Sequence, residues 1–141
     1  MDIAYLTGQR PADVLKIQRS DIRDNALWIT QGKTGKKLRI DVTGELAAVV
    51  SRVQDRPRKA TGLWLIQDEK GQRLTYFALR SRFDKARAAA GVSFQFRDIR
   101  AKSATDAEDL PYAQKLLGHK HQTMTQHYTR NRKGDRVKPL R

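Results

Sequence analysis

Six side chains, in four short segments and one isolated position, have the chemistry to hold and open a phosphodiester. The segments are Thr7-Gly8-Gln9-Arg10, Lys33-Thr34-Gly35, Arg97-Asp98-Ile99-Arg100 and Leu116-Leu117-Gly118-His119, and Tyr128 lies nine residues past His119. A phosphodiester under attack gains negative charge, which the guanidinium groups of Arg10 and Arg100 can grip. A lysine such as Lys33 can protonate a departing oxygen, and a tyrosine such as Tyr128 can attack phosphorus. His119 can add a hydrogen bond to the same oxygens. The chemistry implied is metal-free cleavage and rejoining of a nucleic-acid strand.

Each position has an ordinary reading when taken alone. Arg10 and Arg100 could be solvated helix charges, Lys33 a turn lysine, His119 a helix-end residue and Tyr128 a packing residue. Gly32-Lys33-Thr34 lacks the upstream glycine spacing of a phosphate-binding loop. Tyr112 is a rival tyrosine, but it follows Pro111 ahead of the histidine segment and is expected in the core. The order and spacing of the segments, taken together, favour the chemical reading.

The elements that must position these residues follow from periodicity. Met1 to Gly8 reads as the end of a helix with Gly8 as its terminator, and Pro11 opens a helix to about Arg19. Ser20 to Asn25 is polar and turn-like. Ala26–Thr30 and Lys37–Val42 read as strands, joined by a hairpin turn that carries Lys33 between Gly32 and Gly35. Thr43 is placed to cap a helix to about Asp55, and Leu63–Ile66 reads as a third strand at the sheet edge. Thr75 caps a helix stopped by Gly91, another helix begins near Arg97 or Asp98, Pro111 opens one closed by Gly118, and a last one from about Thr123 bears Tyr128. The expectation is an α+β fold, mainly helical, with a small antiparallel three-stranded sheet.

The bulk properties agree. The chain has 141 residues, a length that fits one domain, with 38% apolar and 31% charged residues. Lysine and arginine total 29 against 15 acidic residues, a formal charge of +14 that calls for a polyanionic partner. There is no cysteine, which excludes disulfides and thiolate metal sites. The three histidines, His119, His121 and His127, fall within nine residues but have no carboxylate between them, so no metal site is expected. Residues 130–141 hold six basic residues and one acidic, and are expected to be a mobile tail. No long apolar stretch and no secretory signal is visible, so a cytoplasmic protein without a membrane partner is expected. An RNA-binding protein would explain the charge, but the basic residues are not interleaved with aromatics in an RNA-reading pattern.

From Thr7 to Tyr128 the chain resembles the catalytic domain of the tyrosine recombinases, in their phage-integrase branch. In that family a Thr-Gly-x-Arg segment supplies the first arginine, matched by Arg10, and a hairpin lysine is matched by Lys33. The His-x-x-Arg segment aligns with Arg97 to Arg100, Leu-Leu-Gly-His matches 116–119, and the nucleophile falls at Tyr128. Arg97 departs from the pattern, which has histidine there; arginine can bind phosphate but is a poor base. The resemblance implies site-specific recombination, the integration or excision of a prophage or mobile element, through a 3′-phosphotyrosine intermediate and without a cofactor. It implies double-stranded DNA as partner, with Lys36, Lys37, Lys102, Lys120 and Arg130 as DNA-binding residues, and further protomers in a synaptic tetramer. A bacterial, nucleoid-associated location follows. Family members carry an N-terminal domain and a catalytic-domain helix ahead of Thr7, so residues 1–141 are expected to be a single catalytic domain, a C-terminal fragment of a longer protein. The alternative is a catalytically silent DNA-binding remnant.

Overall fold

Seven α-helices, one turn of 3-10 helix (Arg19–Asp21) and a three-stranded sheet make up the described part of the chain. The structure is a computed structural model that describes residues 1–133 and 139, the side chains of 130–133 excepted. The helices are α1 (Asp2–Thr7), α2 (Pro11–Val14), α3 (Gly44–Asp55), α4 (Tyr76–Ala89), α5 (Phe96–Asp106), α6 (Leu110–Leu117) and α7 (Gln122–Lys133). The strands are β1 (Ile22–Arg23), β2 (Ala26–Thr30) and β3 (Lys37–Asp41), antiparallel in the order β1-β2-β3. Among the described residues no helix is long and apolar enough to cross a membrane.

The third strand is not where sequence alone puts it. Leu63–Ile66 forms no strand of the sheet; Trp64 makes an isolated bridge to Gln18, with Arg19 N donating to Leu63 O at 2.8 Å and Leu65 N to Ile17 O at 2.9 Å. Ile22–Arg23 takes the sheet edge instead, paired through Ile22 with Leu27 and Arg23 with Ala26. The reason is the intervening pair Asp24-Asn25, both at positive φ (51° and 54°), a two-residue hairpin turn for which Asp and Asn are suited. The bridge also shortens α2, because the backbone around Ile17 to Arg19 bonds to 63–65 and cannot continue a helix to Arg19.

Other boundaries follow local chemistry. Thr75 Oγ1 accepts from Ala78 N at 3.1 Å at the start of α4, and Asp109 Oδ1 accepts from Tyr112 N at 2.6 Å at the start of α6. Asp98 reaches back to Gln95 N at 2.8 Å, so α5 starts slightly earlier than expected, at Phe96. Thr43 stands at the N-cap of α3 but makes no side-chain cap bond. Tyr112, expected in the core, is 50% exposed because it faces outward from the first turn of α6.

Two apolar clusters hold the elements. The larger joins Ile3, Val14, Ile17, Leu27, Ile29, Val49, Leu65, Phe83 and Ile99 across α1, α2, the sheet, α3, α4 and α5. Leu27 and Leu65 are fully buried, each worth about 2 kcal/mol of transfer free energy. The smaller cluster is Ala104, Ala107, Ala113 and Leu117, with Tyr128 packed against it. Its alanines let α5 and α6 approach closely and make a shallow seat for the α7 tyrosine.

Candidate active site

The site is built around Arg100. It lies on the second turn of α5 and is only 5% exposed. Its guanidinium donates to Gly8 O at the end of α1 through Nη1, and through Nη2 to Leu117 O at the end of α6, at 2.8 Å. Both carbonyls are available because their helices end in left-handed glycines, Gly8 (φ 63°) and Gly118 (φ 67°). One arginine thereby caps two helices and is fixed in orientation, with Nε buried and lacking a hydrogen-bond partner among the described residues.

His119 follows Gly118 and is buried beside Arg100, with Nε2 3.2 Å from Arg100 Nη2 and Nδ1 2.9 Å from Thr125 Oγ1. A guanidinium N–H can only donate, so Nε2 accepts and the ring proton sits on Nδ1, donating to Thr125. Burial first, and then the Arg100 and Arg10 charges, push the His119 pKa down to about 4. The imidazole is therefore neutral at physiological pH and orients Arg100. Burial, followed by the Arg10 charge, lowers Arg100 to about 10, against opposing effects of Tyr128 and Asp13, so it remains a cation.

Tyr128, on α7, stacks on His119 with ring centroids 5.6 Å apart and 25° between planes, and is half-buried. Arg10 stands just before Pro11, the first residue of α2. Its Nη1 is 3.9 Å from the carboxylate of buried Asp13 and has no hydrogen-bond partner among the described residues. Arg10, Arg100, His119 and Tyr128 thus converge from four elements, and Arg10 and Arg100 each offer a buried N–H that lacks an acceptor among the described residues.

The remaining expected residues are placed differently. Lys33 lies exposed in the β2–β3 turn and makes no hydrogen bond or ion pair among the described residues. Arg97, on the first turn of α5, is exposed and likewise unpaired there. The carboxylates on its own helix are engaged elsewhere: Asp98 with Gln95 N, and Asp106 with Tyr5 Oη and Lys102 Nζ, both at 2.6 Å. Lys36, Lys37, Lys102 and Lys120 are all exposed, Lys102 within an ion pair with Asp106. Arg130 lies on α7, and its side chain falls outside the described residues, as do 134–138, 140 and 141 of the expected tail; residues 130–133 continue the helix.

Four supporting residues were not legible in the sequence. Gln9 and Gln31 are each 1% exposed and bonded to one another, with Gln31 Nε2 2.8 Å from Gln9 Oε1. Gln31 Nε2 also donates to Leu117 O at 2.9 Å, and Gln9 Nε2 to Leu116 O at 2.9 Å and Thr7 O at 2.8 Å. Asp13 Oδ1 accepts from Gly32 N at 2.8 Å, and Thr125 holds His119. The only signal was adjacency, since Gln9 directly precedes Arg10 and Gln31 lies two residues before Lys33.

A helical domain with a small antiparallel sheet thus presents two arginines, a histidine and a tyrosine from separate elements, a set of groups able to hold and attack a phosphodiester. The chain belongs to the phage integrase family, whose model matches residues 1–134. The integrase of Escherichia phage HK022 is 34% identical across 97% of this chain, and that of Escherichia phage lambda 32% across 97%. The chain spans about 42% of the length of these relatives. Among solved structures, a lambda integrase dimer bound to a COC′ core site superposes with a TM-score of 0.81 at 28% identity, over 98% of this chain and 53% of that one. The XerA recombinase, at 19% identity, shares the fold with a TM-score of 0.71 over 89% of this chain and 50% of that one.

Proposed function

We propose that this chain is the catalytic domain of a site-specific DNA recombinase, a strand transferase that integrates or excises a prophage or mobile element in the bacterial cytoplasm. What supports this reading above all is the convergence of Arg10, Arg100, His119 and Tyr128 on one basic site in a member of the phage integrase family. The substrate is double-stranded DNA, in keeping with the +14 charge. The working assembly is several protomers on DNA, as in the lambda integrase tetramer bound to a Holliday junction, which is 28% identical and has a TM-score of 0.82 over 97% of this chain and 43% of that one.

In the reaction Tyr128 Oη bonds to the scissile phosphorus as the P–O5′ bond breaks. The phenolic proton passes to solvent at this half-exposed position, and Lys33 Nζ gives a proton to the departing O5′. Arg10 and Arg100 hold the non-bridging oxygens as charge develops, with Arg97 as an outer clamp and His119 keeping Arg100 oriented. The 3′-phosphotyrosine conserves the diester energy. A 5′-hydroxyl of the other strand then attacks it, returning a proton to Lys33, while Tyr128 leaves and is reprotonated from solvent.

A nicked suicide duplex carrying the recombination site tests this. The protein should form a covalent adduct that maps to Tyr128, and Tyr128→Phe should form none while binding DNA within about two-fold of wild type. An adduct on Tyr112 or on a serine would overturn the assignment. DNA binding with no adduct at all would identify the silent remnant.

A further inference from the structure

Both neighbours of Lys33 are tied to the residues that position the two arginines. On one side Gly32 N donates to Asp13 Oδ1 at 2.8 Å, and Asp13 is the carboxylate facing Arg10. On the other side Thr34 Oγ1 donates to Gln31 Oε1 at 2.8 Å, and the Gln31 amide donates in turn to Leu117 O, the acceptor it shares with Arg100. Gln31 is also bonded to Gln9, the residue before Arg10. The Gln31 amide lies so close to Gly118 that a Cβ there would meet it at 2.7–2.9 Å. An exposed hairpin tip needs none of this to fold. A two-glycine turn closes by its own backbone bonds, here Gln31 N to Lys36 O at 2.9 Å and Gly35 N to Gln31 O at 2.8 Å.

We infer that Gln31, with Gln9 and Thr34, is a positioning device that sets the hairpin lysine against the phosphate clamp, so that the proton donor to the leaving oxygen and the arginines gripping the phosphate move as one unit. This rests on the reading of Lys33 as that donor. The tolerances of proton transfer are narrow. A general acid must bring its heavy atom within about 3 Å of the acceptor, and a displacement of roughly 1 Å can cost on the order of 10²-fold in rate. A lysine carries about 2 kcal/mol of rotamer entropy, so only its backbone can be pre-set by the fold. The two bonds at Gly32 and Thr34 do that, and the buried amide pair carries the constraint to the Arg10 and Arg100 segments. Two amides buried to 1% with all these bonds made form a stiff link, because breaking any one strands a polar group away from water.

The test compares single-turnover cleavage of a normal suicide duplex with one whose scissile bridging oxygen is replaced by 5′-sulfur. A thiolate leaves without a proton, so the sulfur strand bypasses the general acid while still needing Tyr128 and the arginines. Gln31→Met keeps the volume and removes the bonds, and Thr34→Val removes only the exposed tether, so it leaves the core amide pair intact. On the oxygen strand Gln31→Met should be slower by on the order of 10²-fold and Thr34→Val by about 5-fold, with both restored to near the wild-type rate on the sulfur strand. Lys33→Ala should show the same rescue. If Lys33→Ala is rescued while both other variants remain slow on the sulfur strand, the amides act on the whole site and the inference is overturned. Wild-type rates on oxygen for Gln31→Met and Thr34→Val would also overturn it. If Lys33→Ala is not slower on oxygen, or is slow on both strands, the reading of Lys33 as the proton donor fails instead.

Discussion

Arg100 and Gln31 donate to the same acceptor, the Leu117 carbonyl, at 2.8 and 2.9 Å. A helix-end carbonyl has two lone pairs and no intrahelical partner, so it can accept from both. The consequence is that the buried arginine and the base of the lysine hairpin are referred to one atom. That atom is available because Gly118 ends α6 in the left-handed region, and the approach of Gln31 is possible because Gly118 has no side chain.

Gly118→Ala should therefore be costly beyond its backbone strain. The left-handed conformation costs an alanine about 1–2 kcal/mol, and the clash with the Gln31 amide adds about 1–3 kcal/mol. Gly35 has the same kind of φ, 66°, but a Cβ added there would meet nothing within 4 Å, so Gly35→Ala should lose only the first amount. Denaturant midpoints of the two variants measure the difference. Equal losses would mean that Gln31 yields easily and the link is soft.

Acid should weaken the fold through His119. Its folded pKa of about 4 lies below the ordinary 6.5, so between those values the unfolded chain binds a proton that the native one refuses. The contribution of neutral His119 is complete above pH 6.5 and is lost as pH falls toward 4. Unfolding free energies from pH 7 to 4.5 should decline for wild type more steeply than for His119→Gln, and an NMR titration should place the imidazole midpoint near 4. A midpoint near 6.5 would show that the ring is not desolvated as described.

Arg97 is exposed and unpaired among the described residues, at a position where the family pattern has histidine. As an outer phosphate clamp its loss in Arg97→Ala should slow single-turnover cleavage by on the order of 10²-fold. Arg97→His should recover much of that rate and bring an acid-side pH dependence, because histidine titrates near neutrality and arginine does not. Near-equal rates for all three proteins would end the clamp assignment.

DNA affinity should follow salt as expected for phosphate contacts. The plot of log K against log salt is expected to have a slope of roughly −4 to −8, about 0.9 for each phosphate neutralised. Lys36→Ala, Lys37→Ala and Lys120→Ala should each flatten it by up to about one unit, whereas Lys102→Ala, already paired with Asp106, should change it less. A salt-independent affinity would contradict an electrostatic mode of binding.

The amino-acid sequence by itself determined the family and most of the elements. Arg10, Arg100, His119 and Tyr128 were legible from type, order and spacing, and the Gly8 and Gly118 stops and the Thr75 cap were legible because caps and left-handed glycines are local requirements. Which strand completes the sheet was decided by tertiary competition. The apolar run Leu63–Ile66 has strand character, but the Asp24-Asn25 turn brings Ile22–Arg23 to the edge of β2 first in the chain, leaving 63–65 to bridge Ile17 to Arg19. The burial of Gln9 and Gln31 was likewise invisible, since an isolated glutamine beside a turn carries no periodic signal. Their amides become favourable inside only because the folded chain presents unpaired carbonyls at Thr7, Leu116 and Leu117, from segments more than 80 residues apart in the case of Gln31 and Leu117. Local patterns record what a residue can do; which partner it finds depends on helix ends that meet only in the folded state.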